Sequence, residues 1–340
     1  MEKFVIKTGT GMILGKFMPP HLGHQYLVDF ARNYVDGLTV IVGTLASEPI
    51  PGELRHRWMR EMFPDVNVYH LTDDNPQYPH EHPDFWRIWH DSIRKAIPVG
   101  PDYVFASEDY GWKLAEVLGA KYVPVDHLRE LVPVSGSDIR EDPMNNWRYI
   151  PTCVRPYFAR RVCIFGPEST GKSILAKRLA ERFDTVYAAE YARGMLALQD
   201  DKVFYDDIPR IARGQMASED SMVKQANRVI FLDTDLITTT IWSDVLFGDC
   251  PQWIKDEAER RRYDLYLLMD VDTPWVDDPQ RFAPDNREEF LGRFERELAS
   301  RGRPYVKISG SWDERLEMAV IAVDALLERP RISESHPTRI

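Results

Sequence analysis

Short β-branched, apolar runs alternate with amphipathic stretches along the whole chain, a pattern that predicts an α/β architecture with mainly parallel sheets. In the first half the predicted strands are MILGKF (12–17), LTVIVG (38–43), VNVYHL (66–71), YVFAS (103–107) and KYVPVD (121–126). Between the first two lies GHQYLVDFARNYV, where Tyr26, Leu27, Phe30 and Tyr34 recur at helical spacing. The stretch DDNPQYPHEHPD (73–84) carries three prolines, which exclude a helix or central strand, and reads as a surface loop. A second series of strands is predicted at RVCIF (161–165), TVYAAE (185–190), VIFLDTD (229–235), LYLLMD (265–270) and PYVKISG (304–310). ILAKRLAERF and WDERLEMAVIAVDALLE are helices of that half. The intervening EDPMNNWRYIPTCVRPYF (141–158) has three prolines and no clean period, so the boundary belongs there, with domains over 1–150 and 158–330. Residues after Pro330 read as a loose tail.

Two domains also suit the length of 340 residues, and 44% hydrophobic with 29% charged residues is a globular composition. No apolar run approaches the ~18 residues needed to cross a bilayer, and the N-terminus lacks a secretory pattern. Cys153, Cys163 and Cys250 lie far apart without a CxxC, which suits a reduced compartment. A cytoplasmic protein without a membrane partner is expected. Net charge is −5 through residue 155 and −6 in the remainder. Neither half has the basic excess of a domain that holds nucleic acid by its phosphates.

The first chemical signature is Gly166-Pro167-Glu168-Ser169-Thr170-Gly171-Lys172-Ser173, which fits G-x-x-x-x-G-K-[ST] between an apolar strand and a helix. Such a loop turns successive N–H groups onto phosphate oxygens, and the helix start adds partial positive charge. Lys172 would reach the β- and γ-phosphates and the Ser173 hydroxyl a Mg²⁺ ion. Asp233, ending the run VIFL, is placed to share that metal, with Asp235 two positions on; a strand-end Asp can equally cap a helix. Glu190, at the end of a predicted parallel strand, can reach a substrate hydroxyl as base or orienting group. Arg193, one turn on, reads as a substrate contact or as a solvated helix charge. TPWVDDPQRFAPDNREEF (273–290) looks like a mobile lid, in which Arg281 and Arg287 could neutralise phosphoryl charge and Trp275 could stack on a flat cationic ring.

In the first half, Gly15-Lys16-Phe17-Met18-Pro19-Pro20-His21-Leu22-Gly23-His24 leaves a strand and enters a helix. Gly23 permits close approach at the helix start, and His21 and His24 would contact an anion held there, carrying charge transiently. Val134-Ser135-Gly136-Ser137-Asp138-Ile139-Arg140 supplies two hydroxyls and an arginine. Alone it could be a helix cap; beside H-x-G-H it reads as a second phosphate clamp. Trp86 and Trp89, at i and i+3, fit either a ligand contact or a core stripe. His80 and His82 have H-x-H spacing without an evident third ligand, and read as exposed loop histidines.

Taken together, these motifs resemble the nucleotidylyltransferase superfamily, with its G-x-F-x-P-x-H-x-G-H and (I/V)-S-x-(S/T)-x-x-R signatures; Ser137 stands where Thr is frequent. Followed by the phosphate loop, the arrangement resembles the bifunctional NadR family over nearly the whole chain. That resemblance implies a Rossmann-like nicotinamide mononucleotide (NMN) adenylyltransferase domain and a P-loop ribosylnicotinamide kinase domain. It implies ATP, NMN and nicotinamide riboside as substrates, NAD as product, and Mg²⁺ in both sites. It also suggests nicotinamide stacking on Trp86 or Trp89. Members that repress transcription carry an N-terminal helix-turn-helix domain; only about eleven residues precede the first predicted strand here, so no DNA partner is expected. Another acceptor, such as pantetheine phosphate or a flavin, and a regulatory ATP or NAD sensor remain alternatives, and a homo-oligomer is compatible with the sequence.

Overall fold

The computed structural model describes residues 7–281 and 286–329, divided into two compact units, Met1–Val154 and Arg155–Ile340. The tail after Pro330 lies outside the described residues. The first unit runs β1 (Thr10–Gly15), α1 (Leu22–Tyr34), β2 (Gly37–Gly43), α2 (Gly52–Met62), β3 (Asn67–Leu71), α3 (Phe85–Ala96), β4 (Tyr103–Ala106), α4 (Tyr110–Leu118), β5 (Lys121–Pro124) and α5 (Gly136–Glu141). Its sheet has the order β3-β2-β1-β4-β5 with every pair parallel. Alternation along the strands makes this a three-layer sandwich. Ile13, Val40, Val42 and Phe105 face α1 and α2, whereas Met12, Ile41 and Val104 face α3 and α4. The order reverses between β1 and β4, which opens a crevice at the carboxyl ends of those strands.

In the second unit the order is α6 (Arg155–Phe158), β6 (Arg160–Phe165), α7 (Lys172–Arg182), β7 (Tyr187–Ala188), α8 (Tyr191–Leu196), α9 (Ile208–Met222), β8 (Val229–Asp233), α10 (Leu236–Phe247), α11 (Gln252–Arg260), β9 (Leu265–Met269), α12 (Arg287–Ser300), β10 (Tyr305–Ile308) and α13 (Trp312–Glu328). The parallel sheet has the order β10-β9-β6-β8-β7. Central β6 is buried throughout; Val162 and Ile164 pack with Leu175 and Leu179 of α7 and with Ala319 and Val323 of α13.

Every predicted strand is present, and the differences lie at the ends. β1 stops at Gly15 because Phe17, at φ 48°, turns the chain out of the sheet. β7 shrinks from the expected 185–190 to two residues. Thr185 bonds the Val229 carbonyl through its hydroxyl, and Glu190 already occupies the N-cap position of α8. Arg287, expected in a loop, is the first residue of α12.

Candidate active sites

In the second unit the turn after β6 is the predicted phosphate loop. Positive φ at Gly166 (133°), Ser169 (57°) and Gly171 (85°) curls it. Gly171 is the N-cap of α7, and its left-handed backbone aims the helix start at the loop interior. Thr170 is fully buried, its hydroxyl donated to the Pro167 carbonyl at 2.9 Å, so only its backbone remains for an anion. Lys172 Nζ rests on the same carbonyl at 2.8 Å. Arg315 of α13, buried, braces the loop from behind by donating to Thr170 O at 3.1 Å and Gly310 O at 2.8 Å.

This loop floors a cavity of about 360 Å³ lined by Glu168 through Ser173, Glu190, Arg193 and Arg281. Burial, and then Asp233, push the Glu190 carboxyl above its ordinary range, opposed by Lys172 and Arg193. Asp233 is 2% exposed, and burial raises it too, against Lys172 and a hydrogen bond from Ser173. Its Oδ1 is buried without a hydrogen-bond partner. Asp235, by contrast, caps α10 by accepting from Thr238 N at 3.0 Å. Arg193 is paired with Asp278 at 2.9 Å.

The predicted lid lies on the loop through its described part; residues 282–285 of it are outside the described residues. Val276 N and Arg281 donate to Ser169 Oγ at 2.8 and 3.2 Å, and Arg287 donates to Ser169 O at 3.2 Å and Thr273 O at 2.7 Å. Trp275 does not line the cavity. Its indole N–H donates to Asp277 at 2.7 Å, and the guanidinium groups of Arg281 and Arg287 lie 6.0 and 5.9 Å from its ring. The aromatic wall comes instead from Trp242 of α10, stacked on Phe290 at 5.1 Å, a pair hidden in an apolar helix pattern.

The crevice of the first unit holds a cavity of about 1010 Å³. Lys16, His21, Gly23, His24, Trp86, Trp89, Ser135, Ser137 and Arg140 all line it, although over a hundred positions separate the two motifs. His21 is the N-cap of α1: its Nδ1 accepts from Gly23 N at 3.1 Å, and His24 Nδ1 accepts from His21 N at 3.2 Å. Both imidazoles therefore carry hydrogen on Nε2, as neutral donors. Burial, then Arg129, pulls His21 down to about 4; burial, then His21, takes His24 well below its usual value. With no anion beside them, both rings favour the neutral form.

Ser135 caps α5, its Oγ accepting from Asp138 N at 3.1 Å, while Arg140 donates to Met18 O and, at 3.0 Å, to Ser137 Oγ. That contact ties the two motifs into one wall. Lys16 Nζ lies 3.0 Å from Glu48, which also pairs with fully buried Arg55; Arg55 in turn donates to Lys16 O at 2.6 Å. Trp86 and Trp89 pack on the core and also line the cavity, and Trp89 donates to Pro76 O at 2.9 Å. His80 stacks on Tyr78 and His82 Nδ1 accepts from Asp84 N at 3.0 Å. Among the described residues no cluster of three His, Cys, Asp or Glu side chains is arranged to hold a metal, and no helix is long and apolar enough to cross a membrane.

A family profile described as an AAA domain matches residues 161–315. The trifunctional NAD biosynthesis/regulator protein NadR of Escherichia coli (strain K12) is 32% identical over 96% of this chain and 85% of its own length. Its counterpart from Salmonella typhimurium (strain LT2) is 33% identical over 80% of this chain and 71% of its own. A crystal structure of NadR protein in complex with NR superposes with a TM-score of 0.79, at 25% identity, covering 95% of this chain and 98% of that one. A second, in complex with NAD and AMP-PNP, gives 0.77 at 25% identity over 96% and 99%. With two parallel α/β units, a large cavity in each, and a relative 32% identical to it over 96% of its length, the chain belongs to the NadR family.

Proposed function

We propose that the chain makes NAD from nicotinamide riboside in two ATP-consuming steps, the second unit acting as ribosylnicotinamide kinase and the first, a Rossmann-like nucleotidylyltransferase, as NMN adenylyltransferase. The observation that carries this reading is the gathering of every predicted first-unit residue around one cavity, in a chain whose other unit holds a complete phosphate loop. The NadR proteins solved with NR, and with NAD and AMP-PNP, support the choice of substrates.

In the kinase site the 5′-hydroxyl of the riboside attacks the γ-phosphorus of ATP. The new O–P bond forms as the bond to the β-phosphate oxygen breaks, and ADP leaves. Glu190 orients the hydroxyl and takes its proton, for which a raised pKa is suited. The loop amides and Lys172, released from Pro167 O, meet the phosphates; Arg281 closes over them from the lid. Arg193 and the Trp242 wall fit the riboside end. The unpaired Oδ1 of Asp233, beside the Ser173 hydroxyl, fits a hard cation, so these two residues would hold Mg²⁺. When bound, the ion neutralises charge on the β- and γ-phosphates.

In the other unit the phosphate of NMN attacks the α-phosphorus of a second ATP and pyrophosphate leaves. A phosphate monoester is already a nucleophile, so positioning and charge stabilisation by His21, His24, Lys16 and Arg140 suffice. The neutral Nε2–H groups donate to phosphate oxygens, while Trp86 or Trp89 stacks on the nicotinamide. A cytoplasmic setting fits three free cysteines.

Separate assays of the two reactions test the assignment. Lys172→Ala should abolish phosphorylation of the riboside and leave adenylyl transfer to NMN intact; His24→Ala should do the reverse. Loss of both reactions in either folded variant would refute independent sites.

A further inference from the structure

Helix α8 starts at Tyr191, and its N-cap is Glu190, the proposed acceptor of the substrate proton. An acidic N-cap ordinarily turns its carboxylate back onto its own helix and takes one of the free N–H groups of the first turn. Glu190 makes no such bond; its side chain lines the cavity. The N–H of Tyr191 is satisfied from another element. Gln215 of α9, only 2% exposed, accepts it through Oε1 at 3.0 Å. The neighbouring Gly214 makes the approach possible: a Cβ there would lie 2.2 Å from the Tyr191 ring. The other end of the amide is held as well, with Nε2 at 3.5 Å from Oε1 of buried Glu219. That carboxylate also accepts from Tyr263 at 3.0 Å and Arg261 at 3.3 Å, and so selects the NH₂ end of Gln215 and leaves its oxygen for Tyr191.

We infer that Gln215 is a positioning residue of the kinase reaction: by holding the peptide between Glu190 and Tyr191, it fixes the direction in which Glu190 presents its carboxylate to the substrate hydroxyl. The inference rests on the role given to Glu190 above. The N–H that Gln215 holds belongs to the peptide joining Glu190 to Tyr191; without the Gln215 oxygen that peptide is free to turn, and the carboxylate it carries no longer keeps its direction toward the hydroxyl.

Steady-state kinetics of the full chain test this, with adenylyl transfer measured on the same preparation. Gln215→Met removes the acceptor at similar volume; kcat for riboside phosphorylation should fall about 10²-fold, the scale of a misplaced catalytic group. KM for ATP should stay within about twofold, since the loop that holds ATP is untouched. Gln215→Glu, kept protonated by burial against Glu219, donates its hydrogen to that carboxylate, keeps a carbonyl oxygen for the Tyr191 N–H, and should return kcat to within about threefold of wild type. A Met variant with wild-type kcat, or equal loss in both variants, overturns the inference. Should the Met variant not fold, a folded Glu variant with depressed kcat overturns it and one with near-normal kcat supports it. Glu190→Gln separates this from the reading beneath it. If that variant keeps full kinase activity, Glu190 is not the acceptor; if it is inactive while Gln215→Met is not, only the positioning role falls.

Discussion

Two features of His21 hold it in one state. As the N-cap of α1 it must accept through Nδ1, which requires the neutral ring with its hydrogen on Nε2, and its burial resists the charged form. With a native pKa of about 4 against 6.5 in the unfolded chain, protons bind preferentially to the unfolded state between those values. The contribution to stability is therefore complete above pH 6.5 and declines as pH falls toward 4, by at most about 3 kcal/mol. Urea unfolding of the nucleotide-free protein between pH 7 and 4.5 should show this slope in the first unit's transition. His21→Asn, which keeps a capping acceptor, should reduce it and leave the part that buried His24 contributes. The histidines were legible because their motif is contiguous and its chemistry is local. Glu48, Arg55 and Arg129 were not. Arg55 sits among solvated charges in GELRHRWMREM, and only the tertiary fold reveals that this arginine is fully buried and holds the Lys16 carbonyl.

At the scale of elements, the predicted strands were found because buried parallel strands are continuous apolar runs, a signal that needs no tertiary information. Their ends depend on what the chain does next. TVYAAE looked like a full strand, but its last two residues leave the sheet to open α8, and the cap that permits this is supplied by a residue of another helix. The lid shows the same dependence. Its composition marked it, while its docking on Ser169 through Val276, Arg281 and Arg287 has no sequence signal. Arg287→Ala removes the bonds to Thr273 O and Ser169 O and should loosen segment 273–281 from the loop. Limited proteolysis should cut that segment faster, and riboside phosphorylation should drop about 10²-fold or more with adenylyl transfer unchanged.

Across the whole molecule, each unit has its own sheet, its own buried core and its own cavity. A fragment spanning 155–329 should accordingly fold and phosphorylate nicotinamide riboside within a few-fold of the full chain. An inactive but folded fragment would show that the kinase needs its neighbour. The side chain of Arg315 adds a temporal consequence. It belongs to α13, yet it props the carbonyl of Thr170 in a loop formed far earlier in the chain, and the strand that precedes it, β10, is an edge added late to the sheet. On the ribosome the first unit can mature while the rest is still being threaded, but the ATP cradle of the second stays unbuttressed until α13 clears the exit tunnel. Under the proposed division of labour, a polypeptide stalled partway through that unit would bear a finished adenylylating half and an idle phosphorylating one.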